Sequence, residues 1–295
     1  MKKLVYFSIL MMAITVAATV NSFGQIKIVS GMEGATYYYL ATDISKNSSQ
    51  AVEVIPSMGS VENFDLLMSN NDINIAFMQY DVLIANNLLN SKLKNQVRVL
   101  FPLFLDEEIH LITKKGSKIN NLKQLKGKRV GIGSREQGTH VTASLIKDKT
   151  GINWDNIEIP SSECYNALMR GEIDAYFFVG GIPVKSFGDM EDTTQIQLVN
   201  IKSKSLKDIY RAKKIKAGTY KWQLKTVSTY AVPMLIVVKI ENLSNEMEVK
   251  VNQLLVDINA NIQKMQSEGH PKWKDVYYRN QDIDWPYYYV RAKVE

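Results

Sequence analysis

The sequence predicts an α/β protein of two lobes, each a mostly parallel sheet flanked by helices. Three observations carry this. Short apolar strands alternate with amphipathic helices through the first two-thirds of the chain, the pattern of parallel sheets joined by helical crossovers. A strand, glycine-turn, helix corner at Ile28–Tyr39 returns at Lys128–Thr139, so one βαβαβ unit is present twice. After the second unit comes the apolar segment Val227–Val238 with Pro233 inside it, fit for a strand that crosses between lobes.

In the first unit, Ile28-Val29 ends a strand, Gly31 and Gly34 turn, and Thr36–Lys46 reads as a helix closed by Asn47-Ser48-Ser49. Ala51–Ile55 is a strand stopped by Pro56. Val61–Ser69 is a helix with Val61, Phe64, Leu67 and Met68 at helical spacing. Ile73–Met78 is a strand, and Gln79-Tyr80-Asp81 opens the next helix. Val97–Phe104 and Ile109–Thr113 read as two further strands.

In the second unit, Lys128–Gly133 is a strand and Thr139–Lys149 a helix stopped by Gly151. Ile157–Pro160 answers Val54–Pro56, Ser161-Ser162 cap a helix through Met169, and Ile173–Val179 answers Ile73–Met78. Turn glycine to strand-ending proline is 25 positions in one copy (Gly31 to Pro56) and 27 in the other (Gly133 to Pro160). The stretch 203–225 is basic, a solvated face or a docking surface. Ser244–Gln266 is a long helix with Val251, Leu254, Leu255, Ile258 and Ile262 on its apolar side. A path of lobe one, lobe two and back to lobe one fits this order.

Composition is ordinary for a globular chain of 295 residues, at 45% hydrophobic and 22% charged, enough for one or two cored domains. Residues 1–24 differ. Lys2-Lys3, the apolar run Leu4–Val20 and Ser22-Phe23-Gly24 read as a secretory signal peptide that is cleaved, with an uncleaved anchor as the rival. Without Lys2 and Lys3 the formal net charge falls from +6 to +4, too mild to argue for nucleic acid. The one cysteine, Cys164, can form no internal disulfide.

Ligands of parallel sheets sit at the carboxyl ends of strands, where both glycine corners lie, so the corners are expected to face each other across a cleft. Each corner also aims free helix N–H groups outward. Several motifs resemble the TAXI family of TRAP-transporter solute-binding subunits. They are Gly31…Gly34-x-Thr36-Tyr37-Tyr38, Gly59-Ser60-Val61-Glu62-Asn63, Gln79-x-Asp81, Leu122-x-x-Leu125-Lys126-Gly127-Lys128-Arg129-Val130-x-x-Gly133, Gly180-Gly181-Ile182-Pro183, Gly218-Thr219-Tyr220 and His270-Pro271. They run in family order from about residue 26 to 275, and the Gly59–Asn63 block is the most specific.

The resemblance implies a two-lobed, type II periplasmic-binding-protein fold with two hinge crossovers, near Leu105–His110 and Val227–Pro233. It implies lobe one at 25–107 and 228–295, lobe two at 108–227, and a periplasmic protein. It implies capture of a small solute, an amino acid or organic acid with a carboxylate by default, and delivery to an ion-gradient-driven TRAP membrane carrier. A periplasmic sensor that presents its closed form to a membrane receptor would need the same clamp. The second corner departs from the family's Gly-Ser-Gly-Thr: it reads Glu136-Gln137-Gly138-Thr139, which adds a carboxylate where an anion would be held.

The candidate ligand contacts are Thr36, Tyr37, Ser60, Glu62, Asn63, Gln79, Arg135, Gln137, Thr139, Gly180, Gly181 and Tyr220. Each has a plainer alternative. Thr36 and Ser60 cap helices as readily as they bind a ligand, and Tyr37, Tyr220 and Tyr230 are either cleft walls or packing. Glu62 binds a ligand amine or favours its helix dipole. Asp81 reads as an N-cap. Arg135 is a bidentate carboxylate clamp or a solvated charge.

No enzyme is read here, and no cofactor or metal. His110, His140 and His270 are not at metal spacing. Gly133-x4-Gly138-Thr139-His140 lacks the P-loop lysine, and no Gly-x-Ser-x-Gly elbow occurs.

Overall fold

The computed structural model describes residues 24–189, 195–241, 243–276 and 283–289. The signal peptide expected at residues 1–24 therefore falls, but for Gly24, outside the described residues.

The elements follow in order as β1 (Ile26–Val29), α1 (Thr36–Lys46), β2 (Val52–Ile55), α2 (Ser60–Ser69), β3 (Ile75–Gln79), α3 (Tyr80–Leu89) and β4 (Val97–Lys114). Then come β5 (Arg129–Gly131), α4 (Gly138–Thr150), β6 (Asp155–Ile157), α5 (Ser161–Arg170), β7 (Ala175–Gly180), β8 (Ile196–Leu198), β9 (Arg211–Ile215), β10 (Val227–Lys239) and α6 (Asn245–Glu268).

The duplicated unit is real in topology. β1 pairs in parallel with β2 and β3, and β5 in parallel with β6 and β7, so both copies have their first strand in the middle. The copies are parts of one ten-stranded sheet of order β2-β1-β3-β10-β4-β7-β5-β6, with β8 on β4 and β9 on β10. Two long antiparallel strands join them. β10 lies against β3 at Met234–Val238 and against β9 at Val227–Ala231, while β4 lies against β10 and then against β7. The expected crossovers are thus neighbours, with Glu108, Glu107, Asp106 and Leu105 opposite Ala231, Val232, Pro233 and Met234.

The two strands expected at 97–104 and 109–113 are one strand of 18 residues. The acidic run Asp106-Glu107-Glu108 looks like a loop in sequence, yet its backbone stays in the ladder because the side chains find partners on both faces.

Packing follows strand alternation. In the first half Ile28, Ile75 and Phe77 pack on α1 and α6 through Leu40, Ile44, Leu254 and Ile258. Val29, Ala76 and Met78 face the other way onto Leu67 of α2 and Leu83 of α3. In the second half Val130, Ile132 and Phe177 pack on Ala143 and Ile146 of α4, while Tyr176 packs with Cys164 and Leu168 of α5. Both halves are three layers, helix on sheet on helix. The C-terminal segment returns to the first half, where Trp285 is buried and its indole N–H donates to the Val97 carbonyl at 3.1 Å.

Candidate functional site

A cavity of ≈ 610 Å³ lies between the two halves, and both glycine corners border it. Residues 31–37 and 58–60 line it from the first unit, Gln137, Gly138, Thr139 and the Val179–Gly181 strand end from the second. Of the predicted contacts, Thr36, Tyr37, Ser60, Gln79, Gln137, Thr139, Gly180 and Gly181 line the cavity.

Glu62, Asn63, Arg135 and Tyr220 are not among the residues lining it. Asn63 is buried beneath the first corner. Its amide donates to the Ser30 and Phe77 carbonyls and its oxygen accepts from the Ser57 hydroxyl, which ties β1, β3 and the turn together. Glu62 folds back to accept from the Met58 amide of its own turn. Arg135 pairs with Glu158 at 2.6 Å on the exposed surface, the solvated alternative. Tyr220 stands one layer behind, its hydroxyl 2.8 Å from His110 Nε2 and accepting from the Val184 N–H at 3.2 Å. It packs against Phe187, which does line the cavity.

Four capping expectations are corrected by the geometry. Ala35 and Gly59, not Thr36 and Ser60, are the N-cap residues of α1 and α2, and Pro160 precedes α5 in place of a serine cap. Ser60 instead accepts from the Gln79 N–H at 3.1 Å, holding the end of β3 to the start of α2. Asp81 is inside the first turn of α3 and reaches the other half, where the Thr142 and Tyr210 hydroxyls donate to its Oδ2 at 2.7 and 2.9 Å.

The Gly59 turn of the first unit touches the second corner directly. The first amides of α2, at Val61 and Glu62, donate to the Glu136 carbonyl at 3.2 and 3.3 Å. These N–H groups are thus used between the two halves. Glu136 contributes that carbonyl and no lining surface, and its carboxylate is exposed, so the acid expected at an anion site lies outside the cavity. Gly59 adopts φ +139°, a conformation L side chains rarely take, to bring this turn against Gln137. Gln137 Oε1 accepts from the Ser134 and Ser161 amides and the Ser161 hydroxyl, bracing the second corner onto α5.

The cavity floor was missed by sequence reasoning. Glu107, 6% exposed, accepts at Oε2 from the Tyr37 hydroxyl at 2.7 Å and the Gln79 amide at 3.0 Å. Burial pushes its carboxyl up to about 7; the Tyr37 and Gln79 bonds and the nearby Lys272 oppose this without cancelling it. Burial raises Asp81 to about 6 against the bonds from Thr142 and Tyr210. The Tyr37 hydroxyl is raised well above its ordinary range by burial and by Glu107. His110, buried behind the floor, is lowered to about 4 by burial and so stays neutral. Its Nδ1 donates to the Glu108 carbonyl at 2.9 Å, which makes Nε2 the acceptor of the Tyr220 proton.

Two buried polar atoms bordering the cavity, Gln79 Oε1 and the Tyr176 hydroxyl, have no hydrogen-bond partner among the described residues. The walls are aromatic: Tyr39 stacks on His270 with centroids 5.7 Å apart, opposite Phe178 and Phe187. The charged residues bordering the cavity are Glu33, Glu107, Asp189 and Lys185, and all but Glu107 are exposed. Cys164 is buried and its thiol is pushed up to about 12 by burial, which rules out a ready thiolate. Among the described residues no group of His, Cys, Asp and Glu could hold a metal ion.

The model of the NMT1-like family matches residues 28–276, which is most of the chain. The chain belongs to the NMT1-like family. Solved structures agree on the architecture of this NMT1-like protein. An ancestral arginine-binding protein bound to arginine matches with a TM-score of 0.51 and 16% identity, over 86% of this chain and 96% of that one. An amino acid ABC transporter substrate-binding protein of Streptococcus pneumoniae bound to L-arginine matches at 0.51 and 13%, over 87% and 98%. The periplasmic VFT2 domain of BvgS from Bordetella pertussis matches at 0.51 and 8%, over 86% and 93%. At these identities the likeness is one of fold: the NMT1-like chain has the type II periplasmic-binding-protein fold.

Proposed function

We propose that the protein is an extracytoplasmic solute-binding protein. It captures one small solute between its halves and delivers it to an ion-gradient-driven carrier of the TRAP type. The observation that carries this reading is the pair of glycine corners facing each other across a ≈ 610 Å³ cavity, the size of a small-molecule site. The described arginine-binding proteins share the fold, which supports an amino acid or organic acid as the solute. The motifs from Gly31 to Pro271 support the TAXI branch and hence the TRAP carrier as partner. Lobe boundaries at 107/108 and 227/228 would put the hinge where β4 and β10 run side by side.

The reading involves binding and release and no reaction. Among the described residues no helix is long and apolar enough to cross a membrane. The test is native mass spectrometry of freshly purified protein, followed by calorimetry of the stripped protein with amino acids and organic acids. A bound small molecule that rebinds stoichiometrically supports capture. Stripped protein that binds none of these, with nothing found bound in the native sample, would sink it.

A further inference from the structure

We infer that the captured solute carries a protonated amine, and that Glu107 and Gln79 form the seat that reads it. The inference rests on the solute-capture reading above and names the chemistry of its ligand.

The floor of the cavity is built as an acceptor. Glu107 is the one buried charge among the lining residues, and its Oε2 already holds the Tyr37 hydroxyl and the Gln79 amide. Those two bonds fix which way Gln79 points: with Nε2 on the carboxylate, Oε1 is left as a buried carbonyl with no partner. An acceptor amide oxygen beside a carboxylate, both out of water, is costly unless a donor arrives. An ammonium group brings three N–H donors and a positive charge to one point, which suits an anionic and a neutral acceptor side by side. A ligand carboxylate placed there would instead meet Glu107 as a like charge.

Among the described residues no cation fills the seat. Lys272, buried nearby, is held by Asp275 at 2.9 Å and lies 4.0 Å from Glu108. Lys185 is exposed, and among the described residues no arginine lines the cavity. The ligand's own carboxylate is therefore directed away from the floor, toward the hydroxyls of Thr36 and Thr139.

Ionisation gives the seat a signature. The groups facing Glu107 are Tyr37 on α1, Gln79 at the end of β3, Asp81 on α3 and Lys272 in the C-terminal segment. With burial dominant, the empty seat is partly protonated at neutral pH, and an arriving ammonium favours the carboxylate. Binding an amine at pH 7 thus releases a proton.

The test is titration calorimetry of the stripped protein at pH 7 with matched pairs: L-glutamate and L-2-hydroxyglutarate, L-leucine and its 2-hydroxy acid, L-arginine and its 2-hydroxy acid. Each titration is repeated in buffers of different ionisation enthalpy. For whichever side chain fits, the amino acid is expected to bind at least about 10-fold tighter than the hydroxy acid and to release protons. In Glu107→Gln both the amine preference and the proton release disappear.

A hydroxy acid that binds as tightly as its amino acid overturns the inference, as does an unchanged amine preference in the variant. The wild-type pairs decide the point even if the variant fails to fold. A tightly bound native solute without an amine overturns the inference and leaves capture standing. No bound solute and no binding in any pair overturns both.

Discussion

At Glu107 burial outweighs two hydrogen bonds and a nearby lysine, and the result is a carboxyl titrating at about 7 instead of in the usual acid range. A carboxyl whose folded pKa is raised favours the native state below the unfolded value and loses that contribution as pH rises through the folded value. Solute-free protein should therefore lose stability between about pH 4.5 and 7, by at most about 3 kcal/mol from this residue. Asp81, raised to about 6, acts in the same direction. Calorimetric melting should show Glu107→Gln more stable than the wild type at pH 8 and equal to it at pH 4.5; equal stability at both would refute the assignment. Asn63 makes the opposite kind of contribution. It satisfies two buried carbonyls, at Ser30 and Phe77, so Asn63→Ala strands both and should cost roughly 3 kcal/mol in chemical denaturation. A loss below about 0.5 kcal/mol would mean the turn relaxes to find other donors.

Among the elements, α4 is placed by a glycine. A Cβ at Gly138 would stand 1.9 Å from Gln79 Oε1 and 2.6 Å from its Cδ. Gln79 cannot swing aside without breaking its bond to Glu107. Gly138→Ala should therefore hold the halves apart and weaken solute binding by about 10-fold or more. The melting temperature of the solute-free protein should stay close to the wild type, because each half keeps its own core. Tight binding by this variant would show that the halves need not meet at Gly138. Sequence period and turn chemistry made most elements legible: α1 spans Thr36–Lys46 as its apolar spacing requires, and α6 starts at the Ser244 cap. What was not legible depends on contacts between the halves. Asp81 looks like a cap until Thr142 and Tyr210 are brought to it. Glu107 looks like part of a loop until Tyr37 and Gln79, 70 and 28 positions away, supply its donors. The one available hint was three consecutive acids inside the apolar stretch from Val97 to Ile112.

The whole molecule is a duplicated parallel unit sewn into one sheet by two antiparallel strands, and that plan concentrates the joint between the halves in β4 and β10. Away from those strands the halves meet through few polar contacts. The Glu136 carbonyl takes the α2 amides, and Asp81 takes the Thr142 and Tyr210 hydroxyls. Asp81 is the more consequential, since it is a fully buried carboxylate whose Oδ1 has no hydrogen-bond partner among the described residues. Removing both hydroxyls, with Thr142→Val and Tyr210→Phe together, would leave that charge stranded only while the halves are closed; opening returns it to water. The double variant should thus shift the solute-free protein toward open forms, with a larger radius of gyration by small-angle X-ray scattering and a weaker apparent affinity, about 10-fold by population shift. Saturating solute should restore the compact form. Wild-type dimensions and affinity in the double variant would mean that closure is governed at the hinge strands alone and that Asp81 does not take part in it.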